Sequence, residues 1–200
     1  MIVTAQEASS GTFQRPRWEP GEAAGRAPRA GHNPLRFGID TGLWFANWST
    51  RVDTPTSPHK TSSGPVVFLA PRIDMDLSPD WRGTLRFEIG EASDLDTKVV
   101  AFRLSRPVYD MGDGVVRFHA GPAAASLDAH RFPGSFRDAV GFDLGVDGEA
   151  PLWRHWLFEA DLTVRYMKFD YSRPPEVVSA NDHSLGPVGV LFSIGATYDF

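Results

Sequence analysis

Residues 188–200 read VGVLFSIGATYDF and end on an aromatic residue. Apolar residues alternate with small or polar ones along this stretch, which is the period-2 pattern of a β-strand with two unlike faces. One face carries Val188, Val190, Phe192, Ile194, Ala196, Tyr198 and Phe200, and the other carries Gly189, Leu191, Ser193, Gly195 and Thr197. The stretch therefore predicts a strand with one face against apolar surroundings along its whole length.

Similar alternation recurs along the chain and predicts further strands at residues 35–48, 66–77, 85–89, 100–105, 116–120, 140–147 and 156–169. The links at 78–83, 106–114 and 148–155 are short to moderate, whereas those at 49–65, 91–98, 123–138 and 170–186 are mostly longer and polar. An even number of strands, with short turns on one side and long loops on the other, is the plan of bacterial outer-membrane proteins. We predict an all-β fold, an eight-stranded antiparallel up-and-down transmembrane barrel over residues 33–200.

The charged residues in the central part of each predicted strand all lie on the polar face. Lys168 lies on the apolar face, but only where its strand should leave the membrane. A charge that faces lipid at mid-bilayer costs about 2–4 kcal/mol for Arg or Lys, so their exclusion from the apolar face favours a lipid-facing exterior. A soluble barrel, with its polar face in water, could hold the same residues. We expect Arg–carboxylate pairs inside the barrel, formed by Arg36, Asp40, Arg72, Asp74, Asp76, Arg86, Glu88, Arg103, Arg117, Asp143, Asp147, Glu159, Asp161 and Arg165.

Bulk composition excludes several classes of protein. No apolar run reaches the 18 or so residues that a membrane-spanning helix needs, and mean hydropathy is -0.25. The net charge of -5 gives no electrostatic support for a nucleic-acid partner. Cysteine is absent, which removes disulfides, thiolate nucleophiles and cysteine-type zinc sites.

The apolar row that ends in Phe192, Ile194, Tyr198 and Phe200 resembles the C-terminal assembly signal of outer-membrane barrels. With it, residues 33–200 resemble the OmpA-like and OmpX-like group of eight-stranded outer-membrane proteins. The resemblance implies the outer membrane of a Gram-negative bacterium, with both termini in the periplasm and four loops outside. It also implies contact with outer-membrane lipids and lipopolysaccharide, and handling by the barrel-assembly machinery.

Aromatic residues are predicted to form a girdle at each membrane interface. The periplasmic girdle would contain Trp81, Tyr109, Trp153, Trp156, Tyr198 and Phe200, and the outer girdle Trp44, Phe45, Trp48, Tyr166, Phe169 and Tyr171. Pro71 lies in the middle of the second strand and cannot donate to the ladder, so we expect either a bulge there or an error in the register.

Residues 1–32 are rich in Gly, Pro, Ala and Arg without apolar periodicity, which indicates a flexible periplasmic tail. Val3, Thr4 and Ala5 resemble the end of a signal peptide, so residues 1–5 are a possible remnant, although an ordinary cytosolic start has the same appearance. Arg15, Arg17 and Trp18 are residue types enriched at binding hot spots, and we expect them to contact a periplasmic or envelope partner. An idle disordered leader is the alternative.

The sequence predicts no enzyme, cofactor or metal site. His59, His130 and His183 fall in different loops and are expected to be solvated, rather than to form a metal or hydrolase site. His119 is expected to pack inside the barrel. The glycines at 38, 42, 141, 145, 189 and 195 are expected to make room for large inward neighbours, and Arg131, Arg137, Lys168 and Arg173 could meet lipopolysaccharide phosphates. The predicted role is structural or partner-binding; a narrow channel and a lipid A-modifying enzyme are the alternatives.

Overall fold

A computed structural model describes residues 34–46, 49–53, 58–62, 65–92, 95–129, 135–172, 179–180 and 188–200. Side chains are described for 34–46, 65–92, 96–128, 139–168 and 188–200. The N-terminal tail, with Arg15, Arg17 and Trp18, lies outside the described residues, as do the side chains of His59, His130 and His183. Among the described residues, no helix is long and apolar enough to cross a membrane.

The strands in chain order are β1 (Leu35–Ala46), β2 (Ser49–Asp53), β3 (Pro58–Ser62), β4 (Val66–Ser78), β5 (Trp81–Ala92), β6 (Leu95–Asp110), β7 (Val115–Ala129), β8 (Ser135–Trp153), β9 (Trp156–Ser172), β10 (Ser179–Ala180) and β11 (Val188–Asp199). Eight of them close into a barrel in the order β1-β4-β5-β6-β7-β8-β9-β11, with antiparallel pairing throughout. This confirms the predicted fold class, strand number and up-and-down topology.

The two ends of the barrel differ. We call the end that carries the connections at residues 79–80, 111–114 and 154–155 the turn end; the first and last barrel strands also begin and end there, because Arg36 pairs with Asp199. The opposite end, which we call the loop end, carries a small antiparallel sheet in the order β10-β2-β3. That sheet was not predicted from the sequence, which assigned both regions to loops.

Two of the four predicted long connections at the loop end are wrong. The segments at 91–98 and 123–138 are largely strand, since β5 continues to Ala92, β6 begins at Leu95, β7 continues to Ala129 and β8 begins at Ser135. The physical reason is that a strand that leaves the hydrocarbon layer keeps its ladder but no longer needs an apolar outer face. The apolar alternation therefore stops before the strand does.

The outward face forms an apolar belt around the barrel. Large hydrophobic side chains from every barrel strand are exposed there, including Ile39, Leu69, Ile89, Phe102, Phe118, Phe142, Leu162 and Phe192. Such an area of exposed apolar surface is unsuited to water and fits the hydrocarbon layer of a bilayer. The predicted orientation, with the apolar face outward, is therefore confirmed.

Pro71 does not produce the expected bulge, and the predicted register of its strand is correct. The β4–β5 ladder is interrupted at Ala70 and Pro71 but has the same register on both sides, since Leu69 pairs with Ile89 and Arg72 with Arg86. On the other side, Pro71 pairs in register with Ile39 of β1. The missing amide thus costs one local contact of the ladder, while the proline ring lies on the outward face.

Most described aromatic residues occupy the predicted ends. Trp81, Tyr109, Trp153, Trp156 and Phe200 are exposed at the turn end, and Phe45 and Tyr166 at the loop end. Trp44 is a correction: it is 2% exposed and points into the barrel, because its even position in β1 shares the inward face with Arg36 and Asp40. Trp48 and the side chains of Phe169 and Tyr171 lie outside what the structure describes.

Candidate functional site: the barrel interior

The interior is divided into two zones along the barrel axis. A charged zone extends from the turn end past the middle, and an apolar zone fills the loop end. All fourteen charged residues that the sequence assigned to the interior point inward. Twelve are buried as whole residues; Asp76 and Arg117, near the turn end, are part-exposed, with side-chain exposures of 33% and 12%.

Arg165 on β9 is the most enclosed cation, with 0% exposure. Its guanidinium donates to both carboxylate oxygens of Glu88, at 2.6 and 2.8 Å, and to both of Asp143, at 2.6 and 2.8 Å. These paired contacts connect β9 to β5 across the barrel and to its neighbour β8. A bidentate arrangement of this kind gives the strongest charge-assisted hydrogen bonds, and it fixes three side chains relative to one another.

Asp161 links two further arginines in the middle of the charged zone. One of its oxygens accepts hydrogen bonds from Arg86 at 2.9 Å and from Arg103 at 2.8 Å. Arg103 also donates to Asp143 at 2.8 and 3.0 Å, which joins this group to Arg165. The pairs are therefore parts of one connected network. This connection matters because a buried charge without a partner costs several kcal/mol.

Arg72 forms a second bridge across the barrel, from β4 to β9. Its guanidinium donates to both oxygens of Glu159 and to the Thr197 hydroxyl. Asp40 and Asp74 lie at 3.6 Å from its Nε. Asp40 is also 3.6 Å from Arg86, so it couples this bridge to the central group.

A third group closes the turn end, and it includes two residues that the sequence reasoning missed. Arg82 donates to Glu149 at 2.6 Å and to Asp76 at 3.0 Å, while Arg36 contacts both acids and Arg117 lies 3.3 Å from Glu149. Arg82 and Glu149 had been placed in the links at 78–83 and 148–155. The signal was available, since Arg82 continues the inward parity of Arg86 and Glu88, and Glu149 that of Asp143 and Asp147.

His119 is packed inside the barrel, as predicted, at 2% exposure. Its ring nitrogens face Asp147 at 3.3 Å and the Thr163 hydroxyl at 2.9 Å. Thr163 in turn donates to Asp161 at 2.7 Å. The imidazole therefore joins two acids of the network by a short polar chain.

The apolar zone at the loop end is the feature that the sequence analysis did not anticipate. It is a contiguous buried cluster of Trp44, Ala46, Val66, Phe68, Ala70, Val99, Ala101, Ala123, Ala125, Leu127, Ala139, Met167 and Leu191. The two zones meet where Arg165 lies 5.8 Å from the Trp44 ring and Arg86 5.2 Å from the Phe68 ring, both cation–π contacts. The sequence pattern could have indicated this zone, since these residues occupy the inward-facing positions of their strands beyond the last charged residue.

The predicted role of the inward glycines is confirmed. At five of the six positions, a methyl group in place of the hydrogen would collide with a large inward side chain, and at Gly195 it would collide with the smaller Asp40. The neighbours are Arg72 at Gly38, Phe68 at Gly42, Met167 at Gly141, His119 at Gly145, Trp44 at Gly189 and Asp40 at Gly195. The bulk of the interior residues and the glycines opposite them are thus complementary.

Little space is left in the middle of the network. A cavity of about 10 Å³ is lined by Arg72, Thr84, Arg86, Arg103, Ser105, His119, Asp147 and Glu159, which is room for about one water molecule. The described residues contain no group of three or more His, Asp or Glu arranged to hold a metal ion. The arrangement can cross-link strands and exclude solvent.

Lys168 is the one described side chain of the four cations expected near lipopolysaccharide, and it lies exposed on the outward face of β9 near the loop end. The side chains of Arg131, Arg137 and Arg173 lie outside the part of the chain whose side chains the structure describes.

Comparison with known proteins shows similarity in fold but not in sequence. No protein-family model matches the sequence, and no curated protein is significantly similar to it. Among solved structures, neisserial surface protein A (NspA) has a TM-score of 0.57 at 10% identity, over 85% of this chain and 99% of that one. The outer membrane protein AlkL has a TM-score of 0.54 at 14% identity, over 87% and 94%. OprG from Pseudomonas aeruginosa has a TM-score of 0.52 at 14% identity, over 85% and 98%. With its apolar belt and closed eight-stranded barrel, the chain has the fold of the small outer-membrane β-barrel proteins.

Proposed function

We propose that the protein is a closed, non-conducting outer-membrane barrel, which anchors its loop-end strands and its N-terminal tail at the membrane for contact with a partner. The observation that carries this proposal is the interior, where the ion-pair network spans the barrel around a central cavity of about 10 Å³. An eight-stranded barrel is just wide enough for side chains to fill. A barrel filled in this way acts as a rigid anchor.

The two interior zones oppose conduction for different reasons. An ion that crossed the charged zone would have to separate Arg165 from Glu88 and Asp143, which leaves buried charges without partners. The same ion would then meet the layer around Trp44 and Leu191, which contains the buried Thr97 hydroxyl but is otherwise apolar and offers little to replace the ion's water shell. The two barriers lie in series along the barrel axis.

Planar-bilayer recording tests the closed state. Folded protein, identified by its altered gel mobility without heating, should leave the membrane at the baseline of protein-free bilayers over the usual voltage range. Reproducible single-channel steps that require the folded form would contradict the proposal and favour a narrow channel.

The proposal also assigns no catalytic role. Lipid A from cells with and without the protein should therefore have the same mass spectrum, and a shift by one acyl chain would favour a lipid-modifying enzyme.

The proposal includes an orientation. We place the turn end in the periplasm. The tail, which joins β1 at that end, would then extend into the periplasm, and the small sheet of β2, β3 and β10 would lie on the outer side of the membrane. Lys168 would then lie at the level of lipopolysaccharide phosphates, where a cation is favoured.

The tail is the segment to which we assign partner binding in the periplasm. Arg15, Arg17 and Trp18 are interleaved with proline, which lowers the entropy lost on docking. Deletion of residues 6–30 should leave the heat-modifiable fold intact and remove a co-purifying envelope protein. If the co-purifying proteins are unchanged, the tail has no docking role.

A further inference from the structure

We infer that the β8–β9 hairpin at the turn end is a binding site for the phosphate of an anionic phospholipid headgroup, with Arg154 as its main cation. The hairpin tip is the run Pro151–Trp156, sequence PLWRHW, and every residue in it is exposed. The inference depends on the proposed orientation in one respect only, since the orientation decides which leaflet contains the bound lipid. The residues that carry it lie on the barrel wall, away from the filled interior.

The shape of the tip places a cation between two aromatic residues. Trp153 and Trp156 pair across the hairpin, and Arg154 and His155 form the connection between them. Trp153 and Leu152 are 63% and 62% exposed, so the tip carries apolar surface suited to the interfacial region of a bilayer. Tryptophan is enriched at that level of the membrane, which would hold the turn at the depth of the headgroups.

The arginine at the tip has no acid competing for it among the described side chains. Its guanidinium makes a cation–π contact with the Trp153 ring at 4.9 Å. Asp199 lies beside the tip, where its backbone amide donates to the His155 carbonyl at 2.8 Å. Its carboxylate, however, lies 3.7 Å from Nε of Arg36 inside the barrel. The planar guanidinium thus keeps its donors available for two phosphate oxygens.

Arg154 also adopts a backbone conformation that a binding role would explain. It is the one non-glycine residue with positive φ in the described part of the chain, at 49°. Glycine is the residue that this conformation favours, and an arginine there is retained at some cost in strain. A turn selected for stability alone would be expected to carry Gly, Asn or Asp at this position.

The other two turns at this end have the opposite charge. The β4–β5 turn contains Asp80, and the β6–β7 connection contains Asp113 and is closed by Asp110, whose carboxylate accepts from the Gly112 amide at 2.7 Å. The whole chain carries a net charge of -5, so its general electrostatic tendency is to repel anionic lipids. A preference for them therefore requires local cationic groups, and this hairpin is the one of the three turns at this end that carries an arginine.

The test is lipid selectivity at the surface of the folded full-length barrel. Spin-labelled phosphatidylglycerol and phosphatidylcholine are compared at the protein boundary, in vesicles made of equal parts of the two lipids. The wild-type protein should prefer phosphatidylglycerol about five-fold, the effect of one cation close to an anionic surface, and Arg154→Gln should abolish that preference. High salt should weaken it as well, because exposed charges are screened.

Two further variants separate lipid binding from folding and from charge in general. Arg154→Gly relieves the backbone conformation, so the fold should be at least as stable while the preference is lost. Arg106→Gln removes an exposed, outward arginine on β6 near the same end and should retain the preference. No preference in the wild-type protein, an equal loss in Arg106→Gln, or a retained preference in Arg154→Gly would each overturn the inference.

Discussion

Arg165 is the residue at which the interior network can be tested most directly. Replacement by Met preserves much of the side-chain volume but leaves Glu88 and Asp143 without their shared cation. We expect the free energy of unfolding in urea to fall by about 3–5 kcal/mol, the cost of breaking a buried ion pair from one side. Adding Glu88→Gln and Asp143→Asn to the same variant should restore part of the loss. Arg106→Met, at an exposed outward position, should change stability by about 0.5 kcal/mol or less. Equal effects of the two single replacements would show that the network does not hold the barrel together.

Two glycines of β8 provide a matched pair for the complementarity of the interior. A methyl group on Gly145 would lie 2.6 Å from Nε2 of His119, whereas one on Gly148 would meet nothing within 4 Å. The methyl group on Gly145 would lie even closer to the backbone carbonyl oxygen of Leu162. Gly145→Ala should therefore lower the urea midpoint, because both His119 and the β9 backbone must shift to make room. Gly148→Ala should leave it unchanged or raise it, since the substitution restricts the unfolded chain without a clash. The prediction fails if Gly145→Ala is as stable as the wild-type protein.

At the scale of strands, the sequence predicted more about the middle of each strand than about its ends. Alternation identified β9 and β11 well, because their outward residues remain apolar over most of their length. It ended β8 too early on the turn side, at residue 147 rather than Trp153, so Glu149 was missed. Trp44 was assigned to a girdle on the basis of residue type, although its parity placed it inside. Residue parity is set by the backbone, and here it predicted orientation better than hydrophobicity did.

The outward row of β11 is the element that we expect to direct assembly. Phe200 packs edge-on against Phe37 of β1 at 5.7 Å and against Tyr198 at 4.9 Å, so it lies at the seam where the barrel closes. A charged residue there would weaken both the seam and the apolar end of the row that also contains Phe192 and Ile194. Phe200→Lys should reduce the fraction of heat-modifiable protein in membranes, whereas Phe200→Leu should retain most of it. If both variants assemble as well as the wild-type protein, this row is not an assembly signal.

For the molecule as a whole, the barrel and its closed topology followed from alternation and charge parity, but the direction in which it crosses the membrane is a separate prediction. The chain has no cysteine, so a single introduced thiol reports one position without background. Asp113→Cys lies in the exposed β6–β7 turn at the turn end, and Ser179→Cys lies in β10, in the small sheet at the loop end. On intact cells, an impermeant maleimide should label the Ser179→Cys protein and leave the Asp113→Cys protein unlabelled until the outer membrane is permeabilised. The basis for the expected pattern is that barrels of this kind have short turns on the periplasmic side and longer loops on the outer side. Labelling of Asp113→Cys alone on intact cells would reverse the orientation. It would then place the β8–β9 hairpin in the outer leaflet and the tail outside the cell, although the closed interior would be unaffected.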